Sequence, residues 1–506
     1  MEQLEQQQNR MMRDLLSMVG LPEALGNGVR FSGPGDPLYD SPLYLAQGAA
    51  ALHGAIGAAI SEIWRRRSGE SQTVDIDRLH AVQSLHRVTF LRQNGYPVEH
   101  TELFNATALA HRCGDGRFIE MSSSLHHLEQ GVLQVLRCAN TVAAVREACM
   151  GWTAAELEQA LTSAGQCGTV HRSREEWRQH PQGIALGAIP AVTIEKIGES
   201  EPVPFREADR PLSGLRVLDH THVLAGPMIS SVLAEQGADV VRFNCNRLEE
   251  DITCHAIDTG FGKFAAWLDL DRPDDLVRYV EMVKDGCDVV TEGYRPGSMD
   301  KRALGARRLA QIRPGLIYTS VSAYGHVGPW AMRKAFDNGA QASTGITFEH
   351  GSSDSPMYAP VQMLTDYGTG YLGALGTLAA LIRRANEGGS YHVHVSLART
   401  GMWFQDLGTV DRDGALDGQL MEELMATQKP SVIRDKVNES AILIETETPL
   451  GTLTHMAPVG QYSQTKSYWA RPVVPLGSSK LQWPEMPAAR TDITRVSGDD
   501  ASNRLS

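Results

Sequence analysis

From residue 212 to 322, short apolar runs alternate with longer amphipathic ones, and few architectures accept that rhythm. Residues 215–219, 238–243, 287–292 and 315–322 read as strands, with helices over 229–236, 273–284 and 302–312 between them. A strand buried on both faces is a continuous apolar run, and a helix between successive strands makes them parallel. The expected fold class is α/β with a doubly wound parallel sheet. A chain of 506 residues also exceeds one ordinary domain, and its 42% hydrophobic content supplies a sizeable core.

Upstream, residues 1–35 open with a short amphipathic helix and lead into the turn-rich Gly33-Pro34-Gly35-Asp36-Pro37. An Ala/Gly-rich helix over 45–66, a turn at Ser68-Gly69 and a strand over 73–76 follow. Residues 90–205 mix a strand near 117–121 with helices near 125–138, 142–150 and 153–163. The three prolines of 201–211 mark a linker.

One internal repeat stands out. A shift of 319 lays Gly54-Ala55-Ile56-Gly57 on Gly373-Ala374-Leu375-Gly376 and pairs Ile63 with Ile382, Arg65 with Arg384, Gly69 with Gly388 and Val74 with Val393. Two helix–turn–strand units can match by composition, but a register shared across the turn points to duplication. Seven residues before the glycines, the second copy carries Asp366 and the first carries Gln47.

A net charge of −13 argues against a non-specific grip on nucleic acid or an anionic membrane. Seven scattered cysteines without a CxxC pair read as reduced thiols rather than a disulfide framework. The first twenty residues resemble neither a secretory signal nor a transit peptide, and no run of apolar residues is long enough to span a bilayer. The expected location is the cytoplasm. His126-His127 and His392-Val-His394 lack a nearby third ligand in sequence, so no metal site is expected.

In Pro360-Val-Gln-Met-Leu-Thr-Asp366-Tyr-Gly-Thr-Gly, an apolar, strand-like run delivers an acid to a glycine-rich helix. An aspartate at a helix start is most often a cap. Against that, Gly368 and Gly370 allow close approach and backbone N–H groups suited to an oxyanion. The first copy keeps the helix without the acid. Gly368-Thr-Gly370-Tyr-Leu-Gly373 also fits GxGxxG, but no first βα unit contains it and no ribose-binding acid follows.

Four further blocks carry a resemblance: Leu212 to Pro227 with Asp219, His222 and Gly226; Glu292-Gly-Tyr-Arg-Pro-Gly297; Ser322-Ala-Tyr-Gly325-His-Val-Gly328-Pro329; and Ala335-Phe-Asp337. In order and spacing they resemble the family III CoA-transferases of CaiB/BaiF type. That resemblance implies a Rossmann-like large domain, a smaller α+β domain and a homodimer of interlocked chains. It implies Asp366 as nucleophile, with coenzyme A thioester and carboxylic acid as substrates and no permanently bound cofactor. It assigns the coenzyme A site to His222, Val223, Ala225, Gly293, Tyr294, Arg295, Lys301, Arg302, Lys334 and Phe336, the last standing where racemases of the family place a proton-relay histidine. An ionised aspartate, with an ordinary pKa of about 3.9, attacks a thioester without a base.

The order of parts is unusual. Residues 1–90 resemble a partial large-domain copy, 91–205 a small domain, 206–400 the coenzyme A-binding and catalytic domain, and 401–506 a returning segment with strands at Thr448-Pro-Leu-Gly451 and Val474-Pro-Leu-Gly477. The expectation is that the small domain covers Asp366, within the chain or across a dimer. Competing readings are an isomerase, racemase or lyase-like enzyme using Asp366 as acid or base, and a non-catalytic acyl-CoA-binding protein.

Overall fold

The computed structural model describes residues 2–98, 105–108, 110–247, 252–361, 363–411 and 442–484. Six parallel strands form its main sheet: Arg216–His220, Asp239–Asn244, Lys263–Trp267, Val289–Glu292, Ile317–Ser322 and Ser390–Ser396. Numbered in chain order they lie as 3-2-1-4-5-6, the dinucleotide-fold order. A seventh strand, Thr193–Gly198, adds antiparallel to Ser390–Ser396 at one edge. The doubly wound α/β expectation holds. Lys263–Trp267 escaped the sequence reading because its sequence, KFAAW, is short and alanine-rich, a weak strand former.

The repeat is sharper in space than in sequence. Helices Leu45–Ser68 and Leu364–Glu387 are each 24 residues long and offset by 319 at both ends. Each ends at a glycine with positive φ, Gly69 and Gly388. The strands after them end at Asp77 and Ser396, and the next helices start at Arg78 and Leu397, still offset by 319. The two long helices are buried around most of their circumference and pack against each other. In the first copy, Val74–Asp77 joins only a three-stranded sheet with Val29–Ser32 and Gln461–Tyr462.

A separate layer holds strands Ala110–Arg112, Phe118–Glu120 and Thr169–Val170 with helices His126–Leu136, Val142–Met150 and Ala154–Ser163 around its own apolar cluster. Near the C-terminus the expected strand at Thr448-Pro-Leu-Gly451 is instead the tip of a hairpin between Leu443–Thr448 and Gly451–Met456. Val474–Gly477 lies in a turn. Proline cannot donate to a ladder, and Gly451 and Gly477 both take positive φ, so these motifs bend the chain.

Candidate active site

Strands one and four are neighbours in the sheet, and the connections diverge on either side of them. Ligands of such sheets bind beyond the strand ends at this switch point. There, a cavity of about 740 Å³ opens beyond His220 and Glu292. Its floor includes His222, Val223, Ala225, Gly293, Tyr294 and Arg295, and Lys334, Phe336 and Asp366 complete one wall. The other wall is Leu125–Leu128, at the start of helix His126–Leu136 in the small layer, so both sides of the cavity come from one chain. A second cavity of about 730 Å³ lies at the opposite sheet end; there Arg67 donates to the Pro211 and Ser213 carbonyls and Arg210 to the Tyr468 carbonyl.

The strand-to-helix turn at 221–224 is shaped by strong local constraints. Val223 takes φ +63, a left-handed conformation that costs a β-branched residue free energy and that clusters at functional sites. Beneath it, the Lys263 ammonium donates to Asp219 Oδ2 at 2.9 Å and to the Pro227 carbonyl at 2.7 Å, all fully buried. This pair ties strand one to the start of helix Ala225–Glu235. Lys263 did not stand out in sequence, because it opens the strand that the pattern missed.

Asp366 lies in the first turn of helix Leu364–Glu387, not at the end of a strand. Its neighbour Asp337 supplies the cap: Oδ1 accepts from Thr365 N at 2.7 Å, Thr365 Oγ1 at 2.6 Å and Asp366 N at 3.3 Å. The first copy repeats this design, with Asp36 accepting from Ala46 N at 3.1 Å and Gln47 N at 3.0 Å. The capping acid is thus kept in both copies, while the acid at the Asp366 position is kept in one. Sequence spacing hid the pairing, since eleven residues separate Asp36 from Gln47 and 29 separate Asp337 from Asp366.

Three expectations change here. Gly368 and Gly370 are not an oxyanion turn; they lie past the first helical turn, where N–H groups bond to carbonyls four residues back. They serve close packing instead, Gly370 against Ala225 and Met228 and Gly368 against Thr400 and Phe404. Lys301 and Arg302 are not among the residues lining the cavity: they form a turn, and Arg302 pairs with Asp271. Finally, Asp366 is not an ordinary ionised carboxylate. Burial, and then the charge of Asp337, hold its carboxyl well above the usual range, while burial puts Asp337 at about 6.

The walls are cationic although the chain carries −13. Arg247, Arg295, Arg333 and Lys334 line the cavity with Asp366 as the one carboxylate among the lining residues. Arg247 follows the second strand and pairs with Asp269 and Asp271 at the rim. Arg333 donates to the Gly168 carbonyl and stacks on Trp330 at 3.9 Å. Burial, then Arg295, lowers the Lys334 ammonium below its usual value. Phe336 sits on the wall beside Asp337 and presents an apolar ring there.

Residues 212–433 match CoA-transferase family III. Through this segment the chain is similar to that family. It is 27% identical over 423 residues to an acyl-CoA transferase of Gibberella moniliformis, covering 75% of this chain and 74% of that one. It is 35% identical over 263 residues to the acetyl-coenzyme A transferase nodX of Hypoxylon pulicicidum, covering 49% of this chain and 44% of that protein. An acetyl-CoA:oxalate CoA-transferase of Acetobacter aceti is 33% identical over 201 residues, 37% of this chain and 51% of the relative. The chain therefore spans about half the length of the latter two. Among solved structures, a CAIB/BAIF family protein from Brucella suis matches with a TM-score of 0.36 and 26% identity over 44% of this chain and 59% of the other.

Proposed function

We propose that the protein moves coenzyme A from an acyl-CoA thioester to a carboxylic acid, with Asp366 as the covalent nucleophile. The observation that carries this reading is one buried carboxyl on a cationic cavity at the sheet's switch point. The cations suit the phosphates of coenzyme A and the charge of an acceptor acid. An Asp366 oxygen attacks the thioester carbonyl; the C–S bond breaks, leaving a mixed anhydride and the coenzyme A thiolate. The thiolate attacks the aspartyl carbonyl, expels the first acid and forms an aspartyl-CoA thioester. The acceptor carboxylate attacks that thioester and releases the thiolate, which takes the new acyl group and frees Asp366.

Each attack passes through an oxyanion. The N–H groups of Ala225 and Gly226, at the first turn of helix Ala225–Glu235 beside Gly370, are the donors best placed to stabilise it. Asp366 must lose its proton before attack, so its elevated pKa sets a pH limb on the first step. The same elevation favours a second reading, proton transfer by Asp366 in an isomerisation. Racemisation needs a second proton carrier on the opposite face, and Phe336 cannot be one. Incubation with acyl-CoA followed by hydroxylamine or borohydride decides between the two. Modification of Asp366 supports transfer; turnover with an unmodified Asp366 refutes it.

A further inference from the structure

Glu120 is a buried carboxyl for which the transfer mechanism as described has no use. It ends strand Phe118–Glu120 of the small layer, is 1% exposed, and accepts a hydrogen bond from the Tyr358 hydroxyl. Tyr358 belongs to the stretch between helices Ile346–His350 and Leu364–Glu387. The next residue, Ala359, donates its N–H to Gln341 Oε1 at 2.9 Å, and Gln341 Nε2 donates to Asp337 Oδ2. Asp337 in turn holds the N–H groups of Thr365 and Asp366. Two adjacent residues thus join a small-layer acid to the cap of the nucleophile helix.

The groups facing Glu120 are Tyr358 from that stretch, Asp337 and Asn338 from helix Asp337–Thr344, Ser122 from its own segment, and Cys167 across the seam. Asp337 is the charged group among them, and Cys167 in turn lies in the field of Lys334, Arg295 and Arg333. Burial, against the pull of these hydrogen bonds, raises Glu120 to about 7. A glutamine would satisfy Tyr358 without the desolvation cost of a carboxylate, so a purely structural role leaves the acid unexplained.

We propose that Glu120 is a positioning residue for Asp366: through Tyr358 and Ala359 it fixes Asp337 and the first turn of the nucleophile helix, and its charge opposes ionisation of the Asp337–Asp366 pair. This rests on Asp366 being the nucleophile. The test compares wild type, Glu120→Gln and Tyr358→Phe. Carbodiimide labelling of Asp366 against pH, read by peptide mass spectrometry, reports its protonation whether or not the enzyme turns over. Glu120→Gln moves the labelling midpoint to lower pH by roughly 0.5 unit or more. Tyr358→Phe lowers kcat about tenfold and leaves KM for acyl-CoA unchanged. An unmoved midpoint in Glu120→Gln, or equal losses in kcat and KM in Tyr358→Phe, overturns the proposal. Should Glu120→Gln fail to fold, the kcat-against-KM split in Tyr358→Phe decides alone. Absence of an adduct on wild-type Asp366 defeats the nucleophile reading instead, and the labelling midpoint still reports on Glu120.

Discussion

Gly370→Ala offers a severe test of how the site is held. A Cβ at Gly370 would stand 2.6 Å from Met228 Cβ, 2.9 Å from Met228 Cγ and 3.0 Å from the Ala225 carbonyl oxygen. Two of these atoms are close to or part of the backbone, so relief requires helix Ala225–Glu235 to move from the nucleophile helix by roughly 0.5–1 Å. That helix carries the proposed oxyanion donors. A displacement of about 1 Å can cost on the order of 10²-fold in rate, while overpacking costs about 1–3 kcal/mol of stability. Gly368→Ala is the matched control: its Cβ meets Thr400 Cγ2 at 2.9 Å and Phe404 Cε2 at 3.0 Å, side-chain atoms of helix Leu397–Asp406. Both variants should lose similar Tm, but only Gly370→Ala should lose one to two orders of magnitude in the single-turnover rate of Asp366 acylation. Equal rate losses in the two variants would refute the assignment of the donors to helix Ala225–Glu235.

Further outcomes follow from the same geometry. Because folded Asp366 holds its proton where the unfolded side chain has lost it, the folded state binds more protons and stability falls as pH rises above about 4. Asp366→Asn should therefore abolish transfer yet raise Tm at neutral pH, a gain that disappears below about pH 4 in a thermal-melt series. The acylation rate of the wild type should rise with pH through the titration of the Asp337–Asp366 pair, as stopped-flow thiolate release would record. Lys334→Gln should raise KM for acyl-CoA about tenfold and weaken its salt dependence, since a hydrogen bond to a charged group contributes roughly 1.5–3 kcal/mol. Specific activity should stay constant on dilution, because Leu125–Leu128 and Asp366 meet within one chain; a loss that tracks dissociation in light scattering would show that a partner completes the site.

Much of this protein is legible in its sequence because the signals are local. Apolar runs alternating with amphipathic helices dictate a parallel sheet whatever the remaining chain does, and the register at 319 foretells two helices of one length. The same register singles out Asp366, since Gln47 shows the helix surviving without the acid. Tertiary structure decides what depends on residues far apart in the chain. Asp337 reaches Thr365 and Asp366 across 29 positions, and Glu120 reaches Tyr358 across 238. Burial, and then the charge of Asp337, hold an aspartate expected to be ionised well above the usual carboxylate range. The fold also recasts Gly368 and Gly370 from oxyanion donors into contact points between helices, because whether an N–H is free depends on where the helix begins. A charge of −13 belongs to the whole chain; the cationic cavity around Asp366 exists only because the fold gathers Arg247, Arg295, Arg333 and Lys334 at one end of the sheet.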